Sequence, residues 1–254
     1  MDVTLIRGDG IGPEVVGAAR RCLETLVGDI TFHEAPMGQE AIDAYGTPLP
    51  DKTVEAVRET GLALKGPVKT PIGSGFRSVN VELRKRLDLY ANIRPCRFMP
   101  GVPSRLESPE AIDVVVFREN LEDLYRGIEF EEGSESAAEF QGFLAEHGFD
   151  VRDDTGYSIK PISRTGSERL LRRAFSYAEE HGREKVTVVD KSNIMKYTDG
   201  LFMDVAERVA EEYEVAYEHV LVDNMAQQLV LQPEEYDVIA TQNIYGDILS
   251  DLAG

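Results

Sequence analysis

Two periods alternate along this chain. Short apolar runs that suit strands fall at 3–6, 30–35, 62–64, 89–93, 112–117, 157–162, 186–189, 215–222 and 238–241. Between them apolar residues recur every three or four positions, as on one face of a helix. Val15, Ala18, Ala19, Cys22 and Leu23 follow Pro13 in this way, and a proline is well placed in a helix's first turn. Further helices are predicted over 51–60, with Asp51 as the cap, and over 79–87, 167–181, 200–213, 225–231 and 244–252. The run Ile112, Val114, Val115, Val116, Phe117 is apolar on both faces, as in a strand covered on two sides. Strands alternating with helices of this length predict an α/β protein.

One stretch breaks the pattern. Residues 129–154 are acidic, interrupted by glycine and serine, and sparse in apolar side chains, which predicts an exposed excursion. No internal repeat or low-complexity tract is present.

Composition narrows the function classes. The 254 residues carry 27 basic and 46 acidic side chains, a formal net charge of −19, so phosphate backbones would meet a repulsive surface. An electrostatic nucleic-acid binder is therefore not expected. With 42% hydrophobic residues the chain can bury a core, yet no apolar run approaches the ~18 residues of a membrane helix. The charged start predicts no signal peptide, and the expected location is the cytoplasm. Cys22 and Cys96 lie far apart, outside any CxxC spacing, and read as buried thiols of a reducing compartment. The four histidines, His33, His147, His181 and His219, lack ligand spacing and receive no role.

Several motifs carry candidate chemistry. Gly8, Gly10 and Gly12 sit between a strand and a helix, but their spacing is not the G-x-G-x-x-G of dinucleotide sites; a tight turn accounts for them. The loop 65–80 gathers hydroxyls, an amide, cations and glycines that could surround an anion. Arg84, Arg94 and Arg118 follow it, the last directly after the 112–117 strand, where side chains line the crevice of an α/β sheet. Planar guanidinium forks suit carboxylates or phosphates, and a surface role is the alternative. Asp247 and Asp251 share one helix face at i and i+4; either solvent or a hard divalent cation compensates their repulsion. Lys191 closes a strand and could act as a base once its pKa is lowered. Tyr125 is a proton donor or a core aromatic.

Taken in order, these segments resemble the isocitrate/3-isopropylmalate dehydrogenase family. The resemblance rests on Gly8-Asp9-Gly10-Ile11-Gly12-Pro13-Glu14, on 87–95, on Phe117-Arg118-Glu119-Asn120 with Tyr125, on Lys191-Ser192-Asn193-Ile194-Met195-Lys196, and on 243–251. It implies an α/β two-domain fold that is not a Rossmann fold. Residues 1–89 would begin the large, cofactor-side domain, and 90–254 would form the small, dimerisation domain with a clasp at about 125–163. Family members continue past the second metal aspartate, so the large domain is expected to be incomplete and the chain a fragment.

The resemblance also implies roles. Arg84, Arg94 and Arg118 would clamp the carboxylates of a small polycarboxylate substrate. Ser78 and Asn80 would meet the extra carboxylate of isocitrate, where isopropylmalate enzymes place apolar side chains; a carboxylate needs such donors once desolvated. Asp247 and Asp251 would hold Mg²⁺ or Mn²⁺ with Asp223 of the other subunit. Lys191, also of the other subunit, would assist deprotonation, Tyr125 would return a proton, and Thr70 and Asn193 would position the nicotinamide of NAD or NADP. The short amino terminus leans toward NAD. The implied assembly is a homodimer with shared active sites. The implied reaction is oxidative decarboxylation of isocitrate. Homoisocitrate or 3-isopropylmalate oxidation and a non-catalytic regulatory subunit are the alternatives. Ser78 would be a control point if phosphorylated, because the added charge would repel an anionic substrate.

Overall fold

The computed structural model describes residues 1–69, 78–104 and 109–254. The chain divides into two compact units, Met1–Leu89 and Tyr90–Gly254.

In the first unit, β1 (Asp2–Ile6) lies between β2 (Thr31–Glu34) and β3 (Ala63–Lys65), parallel to both. Its buried Val3, Leu5 and Ile6 explain the central position. Among the described residues, helices α1 (Gly12–Leu26), α2 (Gln39–Tyr45), α3 (Asp51–Thr60) and α4 (Val79–Arg86) accompany this sheet. Ile6, Met37, Leu49, Val54, Val79 and Leu83 share one core. The Gly8–Gly12 turn is fixed by packing. A side chain at Gly8, whose φ is +73°, would strike the Pro67 carbonyl. Asp9 then ties the turn, its carboxylate accepting from Gln39 N and Lys69 N, both at 2.9 Å.

Three sequence expectations change here. Asp51 is the first helical residue of α3, not its cap; Pro50 occupies the cap and the Asp51 carboxylate pairs with Arg86 at 2.6 Å. Cys22 is exposed, because α1 buries only Gly12 and Val16 and turns the opposite face outward; Cys96 is buried as expected. Helix α2 was hidden from the pattern, since only Ala41 of its seven residues is buried.

The second unit is built on a five-stranded sheet of order β4-β5-β10-β8-β9. These are β4 (Ala91–Arg97), β5 (Asp113–Glu119), β8 (Lys185–Asp190), β9 (Ala216–Leu221) and β10 (Val238–Thr241). Only the edge strand β4 is antiparallel to its neighbour; the remaining pairs are parallel. Helices cover both faces, which is why β5 reads as an unbroken apolar run. Val115 and Phe117 pack with Leu170 and Phe175 of α6 (Arg164–Glu180) and with Phe202 and Val205 of α7 (Asp199–Ala210). Val114 and Val116 point the other way. They meet Met225 and Leu229 of α8 (Val222–Leu231) and Leu249 of α9 (Asn243–Ala253). Burying one such side chain contributes about 1.5–3 kcal/mol, so the two-sided row anchors the sheet.

The acidic excursion is partly regular. A two-stranded antiparallel ribbon, β6 (Ile128–Phe130) with β7 (Tyr157–Ile159), brackets a twelve-residue helix, α5 (Glu135–Glu146), capped by Ser134. Phe140 stacks on Phe130 with ring centroids 5.0 Å apart and meets Tyr157 edge-on at 5.0 Å. Widely spaced aromatics thus do what a dense apolar stripe usually does, and the surrounding acidic residues masked the helix in the sequence.

Candidate active site

Strand alternation decides where the arginines of the second unit point. Arg118 was expected just beyond β5. It is instead a residue of β5, on the same face as Val114 and Val116, and only 1% exposed. In the antiparallel pairing Arg94 of β4 stands opposite Val116, which makes it the diagonal neighbour of Arg118 on that face. Helix α9 lies over this face and presents Asn243, Asp247 and Asp251 at four-residue spacing.

The two rows interlock. Arg118 donates through Nε (3.1 Å) and Nη2 (2.8 Å) to Asn243 Oδ1, and through Nη1 to Asp247 Oδ1. Arg94 Nη1 donates to Asp251 Oδ1 (2.8 Å) and to Ser250 Oγ (2.6 Å). Gly246 makes the approach possible. A methyl group there would lie 2.5 Å from Arg118 Cγ and 2.7 Å from its Cβ. The start of α9 is secured by Asp123, whose Oδ2 accepts from Ile244 N at 2.8 Å.

Tyr125 lies in a short 3₁₀ turn, Asp123–Arg126, just after β5. Its hydroxyl donates to Asp247 Oδ2 at 2.5 Å, and the Arg118 guanidinium sits 4.9 Å from its ring centre. Burial first, then the Asp247 carboxylate, raises the Tyr125 pKa, so the phenol holds its proton at neutral pH. Nearby, burial pushes the Glu119 carboxyl up, although Leu121 N and Glu122 N donate to it.

Lys191 directly follows β8, and its amine pairs with Asp223 of α8. The Asp223 pKa is lowered, chiefly by that hydrogen bond. Asn193 is exposed in the turn that follows Lys191. His219, given no role from the sequence, hydrogen-bonds the buried Asp190 at 2.9 Å.

In the first unit, Ser78 precedes α4 as its cap residue but does not use its hydroxyl for capping. Asn80 and Arg84 follow on the helix, and Asn80 Oδ1 is buried without a hydrogen-bond partner among the described residues. Lys65, the first cation of the 65–80 stretch, ends β3 and keeps solvent contact along its side chain. Its ammonium turns back onto the Gly66 carbonyl at 2.7 Å; desolvation there, with Arg84 nearby, lowers its pKa. Two cations that disfavour each other's charge suit an anion. Thr70 lies outside the described residues.

The donor set on α9 suits a hard divalent cation. Asp247 and Asp251 offer carboxylate oxygens one turn apart, with the Asp251 side chain 78% exposed, and Mg²⁺ commonly takes one or two carboxylates plus substrate oxygens and water. No cluster of three or more His, Cys, Asp or Glu side chains able to hold a metal occurs among the described residues. Within one chain Asp223 pairs with Lys191. No described helix is long and apolar enough to cross a membrane.

What sequence reasoning missed around this helix is the polar frame: Asn243, Gly246 and Ser250 on α9, and Asp123 beneath its first turn. The stripe Asn243, Asp247, Asp251 was a usable signal, being one helix face continued for two turns.

Comparison with known proteins accords with this geometry. The family model described as isocitrate/isopropylmalate dehydrogenase matches residues 2–254. The chain is 42% identical to the isocitrate dehydrogenase [NADP] of Archaeoglobus fulgidus, covering 99% of this chain and 68% of that protein. It is also 42% identical to the isocitrate dehydrogenase [NADP] of Haloferax volcanii, with 99% and 67% covered. The crystal structure of isocitrate dehydrogenase from Methylococcus capsulatus superposes with a TM-score of 0.85 at 40% identity, over 99% of this chain and 69% of that one. The chain thus spans about two thirds of the length of these relatives.

Proposed function

The chain belongs to the isocitrate/isopropylmalate dehydrogenase family, and on that premise we propose that it oxidises and decarboxylates isocitrate to 2-oxoglutarate with NADP. The observation that carries this reading is the interlocked face of β4, β5 and α9. Two guanidiniums, two carboxylates and a protonated phenol converge there within one compact unit. The cofactor in the names of the relatives favours NADP over the NAD suggested by the short amino terminus.

Each residue has a task that its chemistry fits. Arg94 and Arg118 exchange their aspartate partners for substrate carboxylates. Guanidinium forks bind carboxylates bidentately, so the exchange replaces one charge-assisted pair with another. That exchange frees Asp247 and Asp251. Arg84 is taken as a further carboxylate-binding cation, and Ser78 and Asn80 as the donors to the carboxylate that distinguishes isocitrate from isopropylmalate. Lys191, its amine paired with Asp223, assists deprotonation of the substrate hydroxyl. Tyr125, kept protonated, delivers a proton to the carbon from which CO₂ departs. When bound, Mg²⁺ or Mn²⁺ on Asp247 and Asp251 would supply Lewis acidity at the hydroxyl and its neighbouring carboxylate, and NADP, positioned by Thr70 and Asn193, would supply the hydride acceptor.

Lys191 and Asp223 form one group, Tyr125 and Asp247 another. We take the working form to be a cytoplasmic homodimer in which each site draws one group from each subunit, with residues 1–89 belonging to the large domain and the ribbon and α5 forming the clasp.

The test is a steady-state assay of the full-length protein with Mg²⁺, each nicotinamide cofactor, and isocitrate, homoisocitrate or 3-isopropylmalate. The highest kcat/KM is expected for isocitrate with NADP; NADPH formation from 3-isopropylmalate alone would overturn the reading. Lys191→Met and Tyr125→Phe proteins, each inactive, are expected to regain turnover when their subunits are exchanged. Failure of exchanged heterodimers to turn over would exclude the shared site.

A further inference from the structure

The second unit holds a buried charged cluster that none of the roles above uses. Lys160 directly follows β7, and its side chain is only 12% exposed. Its ammonium donates to Asp199 Oδ1 (2.5 Å), to Gln242 Oε1 (2.5 Å) and to the Tyr245 hydroxyl (3.3 Å). It also sits 4.4 Å from the centre of the Tyr245 ring. Asp199 opens α7 and is fully buried. Its second oxygen accepts from Tyr245 OH (3.0 Å) and from the backbone N–H of Lys191 (2.8 Å).

Members of this cluster lie on or beside elements that carry the candidate chemistry. Gln242 caps α9, the helix of Asp247 and Asp251, and Tyr245 lies in its first turn. Lys191 begins the turn after β8, and Lys160 ends the ribbon that encloses α5. Burying an ion pair is a costly way to gain stability, since an apolar cluster of equal volume often does as well; a directional link is what such a pair adds. Among the described residues, the Lys191 side chain pairs with the largely exposed Asp223. The main chain that aims it is therefore held by Asp199, and Asp199 by Lys160.

We infer that Lys160 is a positioning residue, acting through Asp199 to fix the Lys191 backbone against the first turn of α9. The inference rests on the role proposed for Lys191, and it adds a group that touches neither substrate nor cofactor. Because Lys191 assists deprotonation and the arginines hold the carboxylates, loss of the link lowers kcat and spares the isocitrate KM.

The experiment compares full-length wild-type, Lys160→Met and Lys160→Arg proteins, with Lys160→Met/Asp199→Asn as the variant that removes both charges at similar volume should the single change not fold. The readouts are steady-state kinetics with isocitrate and amide hydrogen exchange of segment 191–198. Lys160→Met, or the double variant, is expected to lose at least tenfold in kcat with KM within twofold, and to exchange that segment at least tenfold faster. Lys160→Arg is expected to recover part of both. A folded variant with wild-type kcat and wild-type protection overturns the inference, as does a kcat loss with protection unchanged. A wild-type protein that does not turn over isocitrate counts against the proposed function alone, and exchange then decides the link by itself.

Discussion

Two charged networks meet on α9, and they differ in how far water reaches them. On the β4–β5 side, Arg94 and Asp251 keep 32% and 78% of their side chains exposed, and Asp247 keeps 36%. At the first turn, Lys160 keeps 12% and Asp199 none. Ion pairs open to solvent contribute little to stability and re-form readily with new partners, whereas a closed pair is costly to break because each ion would be left uncompensated. The open network is thus suited to exchanging partners with a substrate, and the closed one to holding the frame on which the exchange occurs. Arg118 stands between them: its stem is buried against Gly246, while its tip reaches the open carboxylate.

The contrast can be broken by mutation. The largest loss of stability is expected for Asp199→Ala, which strands the Lys160 ammonium and frees the Lys191 N–H. About 3–5 kcal/mol should disappear from the unfolding free energy measured in urea. An unchanged denaturation midpoint would show that the closed network is not closed.

Next is Gly246→Ala. The added methyl must displace Arg118 or α9, at a cost of about 1–3 kcal/mol, and kcat/KM for isocitrate should fall with it. Full activity in this variant would mean that the close approach of Arg118 is dispensable. Arg94→Met probes the open side. Its partly exposed pair should be worth less than about 1 kcal/mol to stability, yet the isocitrate KM should rise clearly. The reverse outcome, a lower melting temperature with KM intact, would assign Arg94 a structural role.

The smallest effect concerns Glu119, whose folded pKa is raised by burial. A raised folded pKa means that the native state prefers the protonated carboxyl. The stability gained from this group is present below its ordinary pKa and is lost as pH rises through the elevated value. Stability should therefore decline by this contribution as pH rises above the ordinary carboxyl range, and Glu119→Gln should flatten the decline. An identical slope in the variant would remove Glu119 from the account.

Most helices and strands were legible because their signals are local. The two-faced run of β5 and the amphipathic spacing of α6 need no distant partner to be read. Helices α2 and α5 escaped because few of their residues are buried, so the stripe that marks a helix was faint. Cys22 misled for a related reason: apolar spacing along α1 shows that a face exists, not that it is covered.

For the site, the identity of Arg94, Arg118, Asp247, Asp251, Lys191 and Tyr125 as candidates came from residue type, strand-end position and resemblance. Their pairing did not. Arg118 and Asp247 are 129 positions apart, and Lys160 and Asp199 are 39 apart. The sequence by itself determined the alternation of strands and helices, the acidic surface and which side chains could do chemistry, since these depend on near neighbours and composition. Only the tertiary structure decided that Arg118 lies inside its strand facing α9, that Gly246 makes room for it, and that Lys160 stands behind Lys191. Those facts depend on which faces meet across the sheet, and that choice is made by packing the whole core at once.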